Sequence, residues 1–129
     1  MNELVPSIDN NDPFPFSSIE EYPSVALTTS TGLVFVKKAD ILYCIAENAY
    51  TGVYLKGGHK ITVAKHLKKV EQALSGDTFV RIHDSNLINL QHLVQYVNEH
   101  HSSVLMTNGK ELAVSRNKRK GFLQRFVKI

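Results

Sequence analysis

The sequence predicts a β-dominated α+β fold: short antiparallel sheets with one central amphipathic helix and one C-terminal helix. Three observations carry that prediction. From Ser24 onward, β-branched and aromatic residues gather into short runs bounded by turn residues. Gly57-Gly58 and Asn108-Gly109 stand between such runs, and both accept the positive φ of tight two-residue hairpins. Two segments break the alternation with apolar residues at helical spacing.

Residues 1–23 hold all four prolines, Pro6, Pro13, Pro15 and Pro23, among Asn, Asp and Ser, and read as a flexible acidic leader. Within it, Pro13-Phe14-Pro15-Phe16 is apolar enough to dock on the domain or on a second subunit, although simple flexibility is the plainer reading. Residues 24–129 form the folded part. Strands are expected at Val25–Thr29, Leu33–Lys37, Ile41–Ala46, Tyr50–Lys56 and His59–Val63. Lys65 to Ser75 follows as a helix, with Leu67, Val70 and Leu74 on one face, Lys68, Lys69, Glu71 and Gln72 opposite, and Gly76 as terminator. Further strands are expected at Phe79–Ile82, Leu93–Asn98, Ser103–Thr107 and Lys110–Val114. Ser115, a residue type favoured at N-caps, opens the last helix, which runs to Val127 with Phe122, Leu123 and Phe126 on one face. Gly121 weakens it by about 1 kcal/mol relative to alanine.

Composition narrows the function. The chain has 129 residues, 43% hydrophobic and 21% charged, enough for one core and too short for a second catalytic domain. Nothing resembles a secretion signal or a membrane span, so a cytoplasmic location without membrane insertion is expected. Cys44 stands alone inside Ile41-Leu42-Tyr43-Cys44-Ile45, which reads as a buried, reduced thiol. The acids of the folded part are scattered singly, and the histidines, His100-His101 included, lack the spacing that places two imidazoles on one ion. No catalytic residue, metal site or cofactor is expected, and the protein is not read as an enzyme. Charge is more informative. Residues 25–129 carry all 15 basic residues against seven acids, a balance of +8, and residues 110–129 alone contribute +6. A domain this basic and this lopsided favours an anionic polymer as partner. Arg116, Asn117 and Lys118 fall in the first turn of the last helix, where the dipole disfavours cations unless an anion is bound.

The densest polar segment is Phe79-Val80-Arg81-Ile82-His83-Asp84-Ser85-Asn86-Leu87-Ile88-Asn89-Leu90. So many polar groups beside core residues must bond internally or face a ligand. His83 is expected to hold the neighbouring loop and Asn89 to satisfy backbone groups. Arg81 either pairs with an acid or reaches a phosphate. The pattern Phe-x-Arg-x-His-x-Ser-x-x-x-Asn resembles the signature of the LytTR family of bacterial transcription regulators. In the same order, Asp40 to Tyr50 is similar to that family's opening strand and loop, and Leu67 to Leu74 to its central helix. Asn108-Gly109 through Val114-Ser115-Arg116 is similar to its closing hairpin and Val-Ser-Arg motif.

The resemblance implies an elongated β fold that reads double-stranded DNA by inserting loops into successive grooves, commonly on paired direct repeats and with self-association on DNA. Its contact sites would be Asn48 to Tyr50, Asp84 and Ser85, and Arg116 through Asn117 to Arg119. Arg116 offers a fork to guanine O6 and N7. Lys118, Arg119 and Lys56 suit phosphates. Tyr50 either meets a groove edge or caps its hairpin. Asp84 departs from the family, which carries Arg or a neutral amide there, and Asn86 stands where an aromatic is usual. A carboxylate near phosphates is repelled, so base preference shifts or binding weakens. A phosphoacceptor receiver, response-regulator style, does not fit into 23 residues. A stand-alone regulator is therefore expected, its rival being a degenerate LytTR-like interaction module that regulates another transcription factor.

Overall fold

β-Branched runs of this length bury one or both faces only by pairing with close sequence neighbours, and most of the strands do so. The computed structural model describes residues 22–74, 76 and 78–129. Strands β1 (Val25–Thr29) and β2 (Gly32–Val36) form a two-stranded sheet. Strands β3 (Ile41–Glu47), β4 (Tyr50–Leu55), β5 (Lys60–Val63), β6 (Phe79–His83) and β7 (Asn86–Asn89) form a five-stranded sheet in the order β5-β4-β3-β7-β6. Strands β8 (Leu93–Asn98), β9 (Ser102–Met106) and β10 (Glu111–Ala113) make a third sheet, with β9 central. All pairings are antiparallel. Helices α1 (Leu67–Ala73) and α2 (Arg116–Leu123) complete the described residues, with short 3-10 turns at Lys38–Asp40 and Leu90–His92. Of the leader assigned to residues 1–23, only Tyr22 and Pro23 fall within the described residues, and both are exposed.

The five-stranded sheet is covered on both faces, which explains why β3 reads as an unbroken apolar run. On one face Ile41, Cys44, Val53 and Leu87 pack with Leu27 and Val36 of the first sheet and with Leu67, Val70 and Leu74 of the α1 segment. On the other, Leu42, Tyr43, Ile82 and Ile88 pack with Val104, Met106 and Leu112 of the third sheet and with Phe122 of α2. A register shift between Ile41 and Tyr43 lets Leu42 and Tyr43 share one face. Cys44 is fully buried, and that burial pushes its thiol up to about 12 from the ordinary 9.0, so it stays protonated and inert.

The fold class is the expected one, with four corrections. Strand β7 has no counterpart among the expected strands. It is four residues long and begins and ends with asparagine, a residue depleted in strands. Both amides offset the missing propensity with side-chain hydrogen bonds. Asn89 Nδ2 donates to the Ile41 carbonyl at 2.9 Å, its Oδ1 accepts from Gln91 N at 3.0 Å, and Asn86 Nδ2 donates to the Ala113 carbonyl at 3.0 Å.

Both hairpin connections are one residue longer than expected. Leu55 N donates to the His59 carbonyl and Met106 N to the Lys110 carbonyl, leaving Lys56-Gly57-Gly58 and Thr107-Asn108-Gly109 between them. At the second, Gly109 N closes a turn onto the Met106 carbonyl, and φ of 88° at Gly109 restores the strand twist. The last helix ends at Leu123, short of Val127. Finally, Ser115 occupies the N-cap position without capping: its hydroxyl donates to Asn117 Oδ1 at 2.9 Å.

Replacing Asn89, which is fully buried, by alanine strands the Ile41 carbonyl and leaves a cavity. Asn89→Ala is expected to lower unfolding free energy by about 2–3 kcal/mol in urea titration, with the slope unchanged.

Candidate nucleic-acid interface

The turn joining β6 to β7 is the hub on which the polar segments converge. His83 Nδ1 accepts a hydrogen bond from Ser85 N at 3.0 Å, the loop-holding role expected of it. Arg81 grips the same turn. Its Nε donates to the His83 carbonyl at 2.9 Å and its Nη2 to the Asp84 carbonyl, while Nη1 pairs with Glu71 Oε1 of α1 at 2.7 Å. Of the two roles open to Arg81, the structure assigns it the acid partner. The planar fork suits this, since three donors reach three acceptors set around one loop. Asp84 is exposed at the tip and Ser85 half-buried beside it.

One flank of the hub is the β3–β4 hairpin. Ala46 N donates to the Ser85 carbonyl at 2.9 Å, which fixes this hairpin against the turn. Asn48 adopts φ of 59° at its tip, a left-handed conformation that asparagine tolerates better than most residues. Tyr50 pairs with Glu47 across the ladder and leaves 52% of its surface exposed. Glu47 itself is taken by Lys60 at 2.7 Å, and that hydrogen bond holds the Lys60 ammonium above its usual range.

The other flank is the entrance to α2. Ser115 N donates to the Ile82 carbonyl at 2.8 Å, and the Asn86 amide binds Ala113. Arg116 and Asn117 are exposed, and Lys118 is half-buried. Arg119 is exposed, yet its Nη1 donates to Ser102 Oγ at 3.0 Å, a hydroxyl that also accepts from Tyr96 Oη at 2.8 Å. That contact anchors α2 to β9.

The structure therefore brings Asn48, Asp84, Ser85, Arg116, Asn117 and Lys118 around one turn, with Tyr50 at the first ladder position beside the tip of the adjoining hairpin. Lys56 is not among them. It lies at the far end of β4, six residues or roughly 20 Å of strand from Tyr50, with its N–H on the Asp40 carbonyl. Two clefts flank Arg81. One, of about 310 Å³, is lined by Asn117, Lys118, Gly121 and Arg125. The other, of about 540 Å³, lies between the Asn48 and Asp84 tips and α1, and is lined by His66, Lys68, Lys69 and Gln72. The sequence pattern does show Lys68, Lys69 and Gln72 on a polar helical face, but nothing in the chain order says that the face meets a loop rather than open solvent.

The LytTr DNA-binding domain family model matches residues 31–126. The chain belongs to the LytTR family. A solved structure described as the LytTr DNA-binding domain of putative methyl-accepting/DNA response regulator from Bacillus cereus superposes with a TM-score of 0.67 at 26% identity, over 78% of this chain and 93% of that one. The sensory transduction protein LytT of Bacillus subtilis (strain 168) is 28% identical over 94 residues, 71% of this chain and 39% of LytT. The chain thus matches about two fifths of that relative's length. The LytTR family is one of DNA-binding domains. Among the described residues no helix is long and apolar enough to cross a membrane, and no three His, Cys, Asp or Glu residues gather as metal ligands.

Arg81→Lys keeps the positive charge and loses the fork. Amide exchange at Ser85 is expected to quicken about tenfold, the equivalent of roughly 1.4 kcal/mol in local opening, as measured by hydrogen–deuterium exchange. Exchange within β8 and β9 should be unchanged.

Proposed function

We propose that this LytTR domain is a sequence-specific transcription regulator that seats its loops in DNA grooves. The carrying observation is the convergence of two separate segments, the β3–β4 hairpin and the entrance to α2, on the β6–β7 turn. Ala46 N on Ser85, Ser115 N on Ile82 and Asn86 on Ala113 fix that convergence through hydrogen bonds of 2.8–3.0 Å. Loops held this rigidly present base-reading groups without a large ordering cost on binding. In this reading Arg116 forks to guanine, Asn48, Asn117 and the Asp84-Ser85 tip touch base edges, and Lys118 meets a phosphate. Tyr50 stacks or hydrogen-bonds at a groove edge. The balance of +8 over residues 25–129 supplies salt-dependent attraction, with residues 24–129 as the DNA-binding unit acting in the cytoplasm. Lys56 and Arg119 are supporting residues, Lys56 on the distant end of the sheet and Arg119 through its hold on Ser102. Similarity to a sensory transduction protein supports a regulatory output. Two copies are proposed to meet on paired direct repeats.

Selection from a random duplex pool, followed by anisotropy titration of the enriched site, tests this reading. Enriched sequences should contain repeats spaced by a helical turn, about 10–10.5 base pairs. Arg116→Ala is expected to cost about 1–3 kcal/mol on the enriched site and to relax one position, leaving thermal unfolding unchanged. Asp84→Asn should strengthen binding by removing a charge that phosphates repel. A pool with no enrichment at low salt would remove the proposal, and salt-insensitive capture of a regulator protein would favour the interaction-module alternative.

A further inference from the structure

We infer that Lys68 and Lys69 of α1 form a second phosphate-binding wall, gripping the DNA backbone beside the Asp84 tip. This rests on the DNA-binding reading above and adds a contact from an element outside the three loops. Lys68 and Lys69 line the 540 Å³ cleft whose opposite side carries Asn48 and Asp84, so a strand entering against either tip passes the two ammonium groups.

Four features make this wall more than a solvated helix face. The burial of Leu67, Val70 and Leu74 fixes the rotation of α1, which turns positions 68 and 69 outward. Thr51 Oγ1 donates to the Lys65 carbonyl at 2.8 Å and pins the chain just before the helix to β4. Glu71, the one acid in α1 and three residues after Lys68, is committed to Arg81 at 2.7 Å, so it does not neutralise the lysines. Among the described residues, no salt bridge joins an acid to either lysine.

The same arrangement bears on Asp84. A carboxylate at the tip repels phosphates, and two cations across the cleft offset that repulsion at short range, where screening is weakest. Lysine suits the task as a compact point charge on a flexible stem, which follows a backbone without demanding one base sequence.

The experiment compares wild type with the Lys68→Gln/Lys69→Gln double variant on a fluorescent mixed-sequence duplex of about 30 base pairs, titrating at several salt concentrations. Each lost phosphate contact lowers the slope of log affinity against log salt by about 0.9, so the double variant should lose about 1.8. Thermal unfolding should stay the same, and the preference for a selected site over a scrambled one should hold within about twofold, because phosphate contacts carry no sequence information. A steep wild-type slope that persists in the double variant overturns this inference alone. A wild type without salt-dependent binding overturns this inference together with the reading it rests on. A double variant that changes site preference at constant slope also overturns it, since the lysines would then act on bases.

Discussion

Two asparagine side chains hold the molecule's working end together. Asn89 and Asn86 bracket the four-residue strand β7, buried on both sides, and each adds a side-chain amide hydrogen bond to its place in the ladder. Asn89 reaches back 48 residues to Ile41 at the start of β3, and Asn86 reaches forward 27 residues to Ala113 at the end of β10. Between them β7 joins the central sheet to the third sheet. With the amides gone, the buried Ile41 carbonyl and the Ala113 carbonyl would lose their donors, a penalty comparable to what so short a strand recovers from its two apolar residues. The polar character of the segment is therefore a folding device first.

Around that strand the chemistry divides between residues that hold and residues that present. Arg81 and His83 spend their donors and acceptors on the turn itself, and Arg119 spends one on Ser102. Asn48, Asp84, Arg116 and Asn117 stay exposed at the tips. Such a division is what a rigid reading surface requires: loops fixed by backbone hydrogen bonds keep their side chains free for a partner. Commitment of Glu71 to Arg81 extends the same logic to α1, where it leaves Lys68 and Lys69 uncompensated beside an acidic tip.

The corrections share a cause. Gly57-Gly58 and Asn108-Gly109 were each legible as hairpins because glycine marks the positive φ, yet the length of each connection was set by which strand residues face the core. Cross-strand register, once Met106 N bonds to Lys110, leaves room for Thr107 as well. Ser115 shows the same limit. Its residue type marks the helix start correctly, but Asn117 two residues on offers its hydroxyl a side-chain acceptor.

By itself, the sequence determined the β-dominated class, nine of the ten described strands, both helices, the buried thiol and the family, because alternation, glycine placement and motif order are local properties of the chain. It also marked Asn48, Asp84 and Arg116 as polar positions worth naming. Tertiary structure alone decided which of those positions share a surface, that Lys56 lies at the opposite end of its strand, and that Arg81 binds Glu71. Those outcomes depend on contacts between residues far apart in the chain, and a residue type records what a side chain offers without recording what arrives beside it.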